Sequence, residues 1–592
     1  MVGTASTTTR DGANDPAHPV ARHRRPPLTK FVPGIGAAAH YERSWLTSDL
    51  VAGLVLASLL VPQGMAYAQL AKLPPITGLY TSMMCLLAYA VFGPSRVLVL
   101  GPDSSLGPMI AATLLPLVAA NGDPERAVAL AGMLALLVGA ITIVVGVAKL
   151  GFIADLLSKP TQIGYLIGLA MTIVVGQLPK LFGFSVDATG LLAETKAFVQ
   201  GVADGKTVPV ALGVGVGGVV LILLLQRLVP KFPALLLAVV LSIAAVSLLD
   251  LREHGVSVVG ALPQGFPPFG LPNVSISDLP TLLAGAGGIA LVALTDTIST
   301  SSAFAAKRGD QVRSNQEMIG IGAASVAAGL FHGFAVSTSG SRTAVADQAG
   351  AKSQLTGVVG ATVIALMLLF VPGLLRNLPQ PMLAAVVITA SLSLADMKGL
   401  RRLWRLRRIE FSLALVAFLG VALFGVLAGI GIAVALSILN VFRRAWWPYE
   451  TVLGEVTSVP GFHDVRSYPD AREPEGIIVY RFDAPLFFAN SRTFSERIRD
   501  LIRRDPPPRS IVLAAAAITD VDTTAADMLG RLVQDLERQG VTLIFAELKD
   551  PVRRKIERYE AADVMASVRF YPTVATAVET ILLVPPARRP EE

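Results

Sequence analysis

Residues 336–345 read Val-Ser-Thr-Ser-Gly-Ser-Arg-Thr-Ala-Val, a run of hydroxyls broken by one glycine and one arginine. The flanks, 325–334 and 355–371, have the pattern of apolar helix. In hydrocarbon each unpaired polar group costs several kcal/mol, and a guanidinium at the bilayer centre costs about 2.5 kcal/mol or more. Such a run is tolerated at membrane depth only where it lines a cavity and meets a ligand or polar partners. Ser337, Ser339, Ser341 and Arg342 then compose an anion site: hydroxyl donors, free backbone N–H groups and one cation at the start of a half-helix. The competing reading is a polar loop outside the membrane.

Two further groups could act in such a cavity. Asp296 and Thr300 stand four apart on one face of the apolar stretch 290–305. An acid inside a span is a functional residue by default, and here the expectation is ion coupling; the alternative is a structural ion pair with Arg342. Residues 61–82 read VPQGMAYAQLAKLPPITGLYTS. Pro62 and Gly64 are expected to loosen this helix, and Gln63 and Tyr67 share one face. An amide and a phenol facing inward suit a cavity that holds an anion; a kinked helix with Gln63 bonded to a neighbour is the other reading. Other signals fail. Residues 201–207 have three residues between the glycines where a phosphate-binding loop needs four. His332 has no partner at metal-ligand spacing, and Asp522 or Thr523 reads as a helix N-cap.

The elements that position these groups are membrane spans. Of 592 residues 53% are hydrophobic and 16% charged, with a mean hydropathy of +0.60; soluble domains carry about 25% charged residues. A net charge of +7 on so long a chain implies no nucleic-acid partner. The single cysteine, Cys85, excludes an intramolecular disulfide framework and reads as packing. Apolar segments of bilayer length run over 49–71, 76–94, 127–150, 207–229, 232–251, 353–372 and 409–445. The last holds two spans that turn near 424–428, whereas 97–120, 152–183 and 281–349 are interrupted. The expected total is about 14 spans. Basic residues beside apolar segments (Arg22, Arg24, Arg25; Lys307, Arg308; Arg401, Arg402, Arg405, Arg407, Arg408; Arg443, Arg444) mark the cytoplasmic ends.

The first apolar block is broken at Gly101-Pro102-Asp103-Ser104-Ser105 and the second at the serine–arginine run. Matching interruptions in two halves point to an inverted-repeat transporter, whose opposed half-helix N-termini face one midplane site. After residue 449 the pattern becomes strands at 476–483, 510–516 and 541–547 and helices at 491–504, 524–539, 550–559 and 574–583, a small α/β domain. The expected organisation is a cytoplasmic tail over 1–48, a transmembrane anion-transport domain over 49–448 and a soluble domain over 449–592.

The run Pro-Gln-x-x-Ala-Tyr-Ala followed by Leu-Pro-Pro-x-x-Gly-Leu-Tyr-x-Ser resembles the signature of the SulP/SLC26 anion transporters. So do Asn315-Gln316-Glu317, Ser341-Arg342-Thr343-Ala344-Val345 and Ala349-Gly350-Ala351-Lys352. Residues 480–490 resemble the STAS domain that ends these proteins. The resemblance implies two inverted seven-helix repeats forming core and gate domains, a STAS domain, and a homodimer in the plasma membrane with the N-terminus and STAS domain cytoplasmic. It places the anion at Gln63, Tyr67, Asp103, Ser104, Ser105, Leu106, Ser339, Ser341 and Arg342, and the coupling ion, H⁺ or Na⁺, at Asp296 and Thr300. Two departures stand out. Asp103 is an acid where some members have an apolar or hydroxyl residue; it serves either as an N-cap or as a titrating group that admits substrate when protonated. Ala335 replaces a common proline. The implied function is secondary active transport of a small inorganic anion, sulfate first, with no cofactor and no enzymatic reaction. Rivals are bicarbonate or C4-dicarboxylate transport, anion exchange or a channel, and a STAS-based regulatory scaffold.

Overall fold

The computed structural model describes residues 32–118, 122–151, 157–186, 188, 190–229, 234–309, 311–457, 459–559 and 568–583. Most of the expected N-terminal tail, with Arg22, Arg24 and Arg25, lies outside the described residues. The chain divides into two compact units, one ending at Ala435 and the other beginning at Leu436.

Eight helices among the described residues are long and apolar enough to cross a membrane. The helices that build the first unit are α1 (Leu46–Leu70), α2 (Pro75–Phe92), α3 (Gly107–Leu114), α4 (Pro124–Val147), α5 (Lys159–Leu181), α6 (Leu191–Ala203), α7 (Pro209–Leu228) and α8 (Ala234–Leu248). They continue as α9 (Leu279–Arg308), α10 (Ser314–Leu330), α11 (Gly340–Gln348), α12 (Leu355–Phe370), α13 (Gln380–Leu392), α14 (Met397–Leu406) and α15 (Arg408–Phe424), and α16 (Val426–Trp446) carries the chain from the first unit into the second. The expected turn near 424–428 is Gly425, at φ +86°, a conformation open to glycine and costly for other residues.

Packing sorts the spans into two groups, and each group draws on both halves of the sequence. In one, α1 and α2 pack on each other and on α12, while α4 packs on α9 and α10. In the other, α5 packs on α13 and α15, and α7 packs on α8 and α13. Within the first group α1 and α2 cross at glycines: a Cβ on Gly78 would stand 1.9 Å from the Gly64 carbonyl oxygen. Close backbone approach of this kind is how membrane helices associate. The helix α1 also runs unbroken through Pro62, so Gly64 serves contact with α2 and the expected loosening is not seen.

The second unit is a six-stranded sheet. Its strands are β3 (Glu450–Glu455), β4 (Phe462–Asp464), β5 (Ile477–Phe482), β6 (Ser510–Ala514), β7 (Thr542–Ala546) and β8 (Arg569–Tyr571). Strands β5 to β8 are parallel neighbours, and β3 is antiparallel to both β4 and β5. Helices α17 (Ser491–Ile502), α18 (Thr523–Arg538) and α19 (Asp550–Arg558) cover one face, with Phe494, Leu529 and Ile556 in one core with Ile511 and Leu513. The other face, with Val512 and Ile544, packs against α20 (Val574–Leu583). Covering on both faces explains why β6 is a continuous apolar run. Asp522 caps α18 by accepting from the Ala525 N–H at 2.8 Å.

Candidate anion site

The two interruptions of the apolar blocks meet. Strand β1 (Leu100–Gly101) lies antiparallel to β2 (Ser337–Thr338), with Leu100 opposite Thr338 and Gly101 opposite Ser337. (These short strands precede β3 in the chain.) Helices α3 and α11 follow their strands, so antiparallel pairing sends the two helices away in opposite directions with both N-termini toward the ribbon. The ribbon also satisfies backbone groups that hydrocarbon could not. The Ser339 N–H donates to the Val99 carbonyl at 3.1 Å. The Val99 N–H donates to the Thr343 hydroxyl at 3.0 Å, which in turn donates to the Ser339 carbonyl at 2.7 Å. The Thr297 and Thr338 hydroxyls, 2.6 Å apart, tie β2 to α9.

Arg342 sits in the first turn of α11 and is 1% exposed. One guanidinium nitrogen, Nη1, donates to the Pro102 carbonyl at 2.6 Å. Nη2 stands 3.7 Å from Asp103 Oδ2, an ion pair longer than a hydrogen bond. Neither Nε nor Nη2 makes a hydrogen bond, and the buried Ser337 hydroxyl makes none either. A guanidinium has five N–H donors, so most of this buried cation's donor capacity is open. At Gly101 a Cβ would come within 3.4 Å of the guanidinium carbon and 3.3 Å of Leu60, so a larger side chain there would compete with Arg342 for space.

The other expected residues converge unevenly. Asp103 Oδ1 accepts from the Ser105 N–H at 2.9 Å and the Ser105 hydroxyl at 2.8 Å, so it caps its own turn as well as facing Arg342. The same Ser105 hydroxyl lies 3.2 Å from Asp296 Oδ2, placing one O–H between two carboxylates. Tyr67 is buried and within electrostatic range of Arg342 and Asp103. Ser104 and Leu106 are buried at the start of α3. Ser339 accepts from the Arg342 N–H at 3.4 Å as the cap of α11, and the exposed Ser341 pairs with it at 3.1 Å. Thr300 lies beside Gly340, whose Cβ would be 3.9 Å from its hydroxyl. Gln63 is half-buried one turn before Tyr67. Asp296 therefore meets Ser105, and the carboxylate beside Arg342 is Asp103.

One neighbour escaped sequence reasoning. Tyr165 on α5 is fully buried, its hydroxyl has no hydrogen-bond partner among the described residues, and it lies within electrostatic range of Asp296 and Asp103. It brings a polar group from the second helix group to the site, and a tyrosine in an apolar span was its only signal.

Comparison with known proteins follows the same lines. The sulfate permease family matches residues 46–417 and the STAS domain matches residues 468–577. A probable sulfate transporter of Mycobacterium tuberculosis is 40% identical over 550 residues, covering 93% of this chain and 98% of the relative. The Arabidopsis thaliana probable sulfate transporter 3.3 is 30% identical, covering 92% and 90%. Among solved structures, the murine solute carrier 26 member A9 anion transporter, inward-facing, superposes with a TM-score of 0.87 at 22% identity, covering 98% of this chain and all of that one. The transmembrane domain of a cyanobacterial bicarbonate transporter gives a TM-score of 0.59 at 22% identity, covering 66% of this chain and 98% of that one.

Proposed function

Since the chain belongs to the sulfate permease family of multi-pass membrane transporters and ends in a STAS domain, we propose that it carries sulfate by alternating access with proton coupling. Sulfate or anion transport is the family's activity, and the protein is a transporter rather than an enzyme. The finer reading rests on the placement of Ser105 between Asp103 and Asp296 beside Arg342.

A serine hydroxyl has one proton. It donates to one of the two carboxylates, and the second contact becomes a hydrogen bond only if that carboxyl carries a proton and donates to Ser105 Oγ. Asp103 is the carboxylate that faces the permanent charge of Arg342, which leaves Asp296 as the group to hold the coupling proton. The charge count agrees. With both acids ionised, Arg342 leaves the cluster at −1, which repels an anion; with Asp296 protonated the cluster is neutral and Arg342 can exchange Asp103 for substrate. Reciprocal preference of anion and proton for each other is the physical content of symport. Gln63, Tyr67, Ser104, Ser339, Ser341 and the N-terminus of α3 at Leu106 would orient the anion, and rocking of one helix group against the other would alternate access.

This reading carries about 14 membrane segments in two inverted repeats, counting α3 and α11 as half-helices. It also carries the division at 1–48, 49–448 and 449–592, a homodimer, and a plasma-membrane location with the N-terminus and STAS domain in the cytoplasm. A second reading is favoured by the likeness of the fold to a bicarbonate transporter, and sodium at Asp296 and Thr300 competes with the proton. One experiment separates them: uptake of labelled sulfate into proteoliposomes under imposed H⁺ or Na⁺ gradients, with bicarbonate and succinate as competitors. Concentration of sulfate under the proton gradient alone is the expected result. Uptake driven by sodium, or sulfate uptake blocked by equimolar bicarbonate, would replace this reading with the second.

A further inference from the structure

Helix α14 reads Met-Lys-Gly-Leu-Arg-Arg-Leu-Trp-Arg-Leu and joins the membrane helices α13 and α15. At about 100° per residue, Leu400, Leu403 and Gly399 fall on one face. That face is packed: Leu400 and Leu403 are half-buried, and a Cβ on Gly399 would stand 2.9 Å from Ile163 of α5. Lys398, Arg401, Arg402 and Arg405 form a stripe on the opposite side, and all four are exposed. None of the four meets a carboxylate among the described residues; the neighbouring pair is Arg407 with Glu410, at 3.5 Å.

Between the packed face and the basic stripe lie exposed apolar seams. Met397 and Trp404 are 49% and 59% exposed on one seam, and Leu406 is 68% exposed on the other. The Trp404 ring meets Phe411 of α15 edge-on, with centroids 4.8 Å apart. An aqueous surface would leave the three large apolar side chains in water without gain, and a bilayer interior would strand four cations. The combination of cations outward, apolar seams alongside and tryptophan at the boundary fits the headgroup layer of a membrane.

We propose that α14 is a binding surface for anionic phospholipid, with Lys398, Arg401, Arg402 and Arg405 on the headgroup phosphates and Met397, Trp404 and Leu406 among the upper acyl carbons. Charge complementarity chooses the occupant, because four unpaired cations select anionic over zwitterionic lipid. The stripe lies on the link between α13, which packs on α1, and α15, which packs on α5. Bound lipid would therefore hold the end of one helix group at a fixed depth in the membrane.

The test uses the full-length protein in lipid discs containing dibrominated phosphatidylglycerol or dibrominated phosphatidylcholine at equal low mole fraction. Quenching of Trp404 is read as the difference between the parent and its Trp404→Phe variant. The expected result is about fivefold more quenching per mole by the brominated phosphatidylglycerol, collapsing toward equality in about 0.5 M salt as the charges are screened. The triple change Arg401→Gln, Arg402→Gln, Arg405→Gln should remove the preference, and the same three positions changed to lysine should keep it. A preference that survives both salt and the glutamine variant overturns the proposal. So does a parent quenched equally by both lipids, or one not quenched at all; the last result would assign the face to an acidic protein surface instead.

Discussion

Asp103→Asn separates a supporting residue from a competing one. The Asp103 carboxylate stands 3.7 Å from the Arg342 guanidinium, where sulfate would also have to bind. At an effective dielectric of about 20 that attraction is worth about 4.5 kcal/mol before solvation is counted. A bound anion must displace that carboxylate, so in the parent part of the attraction of Arg342 for sulfate is offset by the loss of Asp103. Asparagine keeps the carbonyl oxygen that accepts from the Ser105 N–H but removes the charge. With a third to a half of the gross attraction surviving desolvation, sulfate should bind about ten- to fiftyfold tighter, or about 1.5–2.2 kcal/mol. The empty protein should become less stable, because breaking a buried pair leaves Arg342 uncompensated at a cost of about 3–5 kcal/mol. Isothermal titration with sulfate and thermal unfolding with and without sulfate read both effects. Affinity equal to or weaker than the parent's, with unchanged stability of the empty protein, would refute the competition argument and leave Asp103 as a cap.

Three other predictions test separate parts of the account. Asp296→Asn imitates the protonated acid, so it should still bind and exchange sulfate but lose acceleration by an inward proton gradient; a variant that concentrates sulfate as well as the parent would make Asp296 structural. Gly78→Ala forces a Cβ to 1.9 Å from the Gly64 carbonyl and should lower stability by about 1–3 kcal/mol or more, seen as a lower unfolding temperature in detergent; an unchanged temperature would mean that α1 and α2 separate at little cost. In the STAS domain, hydrogen bonds from Thr451, Tyr449 and the Arg466 N–H hold the Asp464 carboxyl down to about 2. A depressed carboxylate stabilises the folded form above its unfolded pKa, and that contribution fades as pH falls through the folded one. Asp464→Asn should therefore flatten the pH dependence of unfolding between about pH 4 and pH 2, followed by circular dichroism; a dependence identical to the parent's would contradict the assignment.

The membrane class, most span positions and the α/β tail were legible because burial imposes periodicity: β5, β6, β7 and α17 to α20 fall within a few residues of the expected positions. The polar run at 336–345 was legible because its residues are too costly in hydrocarbon to be there without partners. Strands β3, β4 and β8 were missed; β4 and β8 have three residues each, and none of the three shows a clean alternation of apolar and polar side chains. Within the site, the sequence named Asp103, Ser105, Asp296 and Arg342 but could not say which acid faces the arginine. That choice depends on how the turn at 102–105 brings Asp103 across β2, a long-range contact with no local signature. Tyr165 was invisible for the same reason, since α5 reaches the site only through tertiary packing.

The central claim is that the buried and incompletely hydrogen-bonded guanidinium of Arg342 holds the transported anion. Equilibrium binding of labelled sulfate to the purified full-length protein and to Arg342→Ala, at matched pH and ionic strength, tests it most directly. A charge-assisted hydrogen bond contributes about 1.5–3 kcal/mol, so the variant should insert and fold yet bind sulfate about ten- to a hundredfold more weakly. Unchanged sulfate affinity in a folded Arg342→Ala protein would contradict the account.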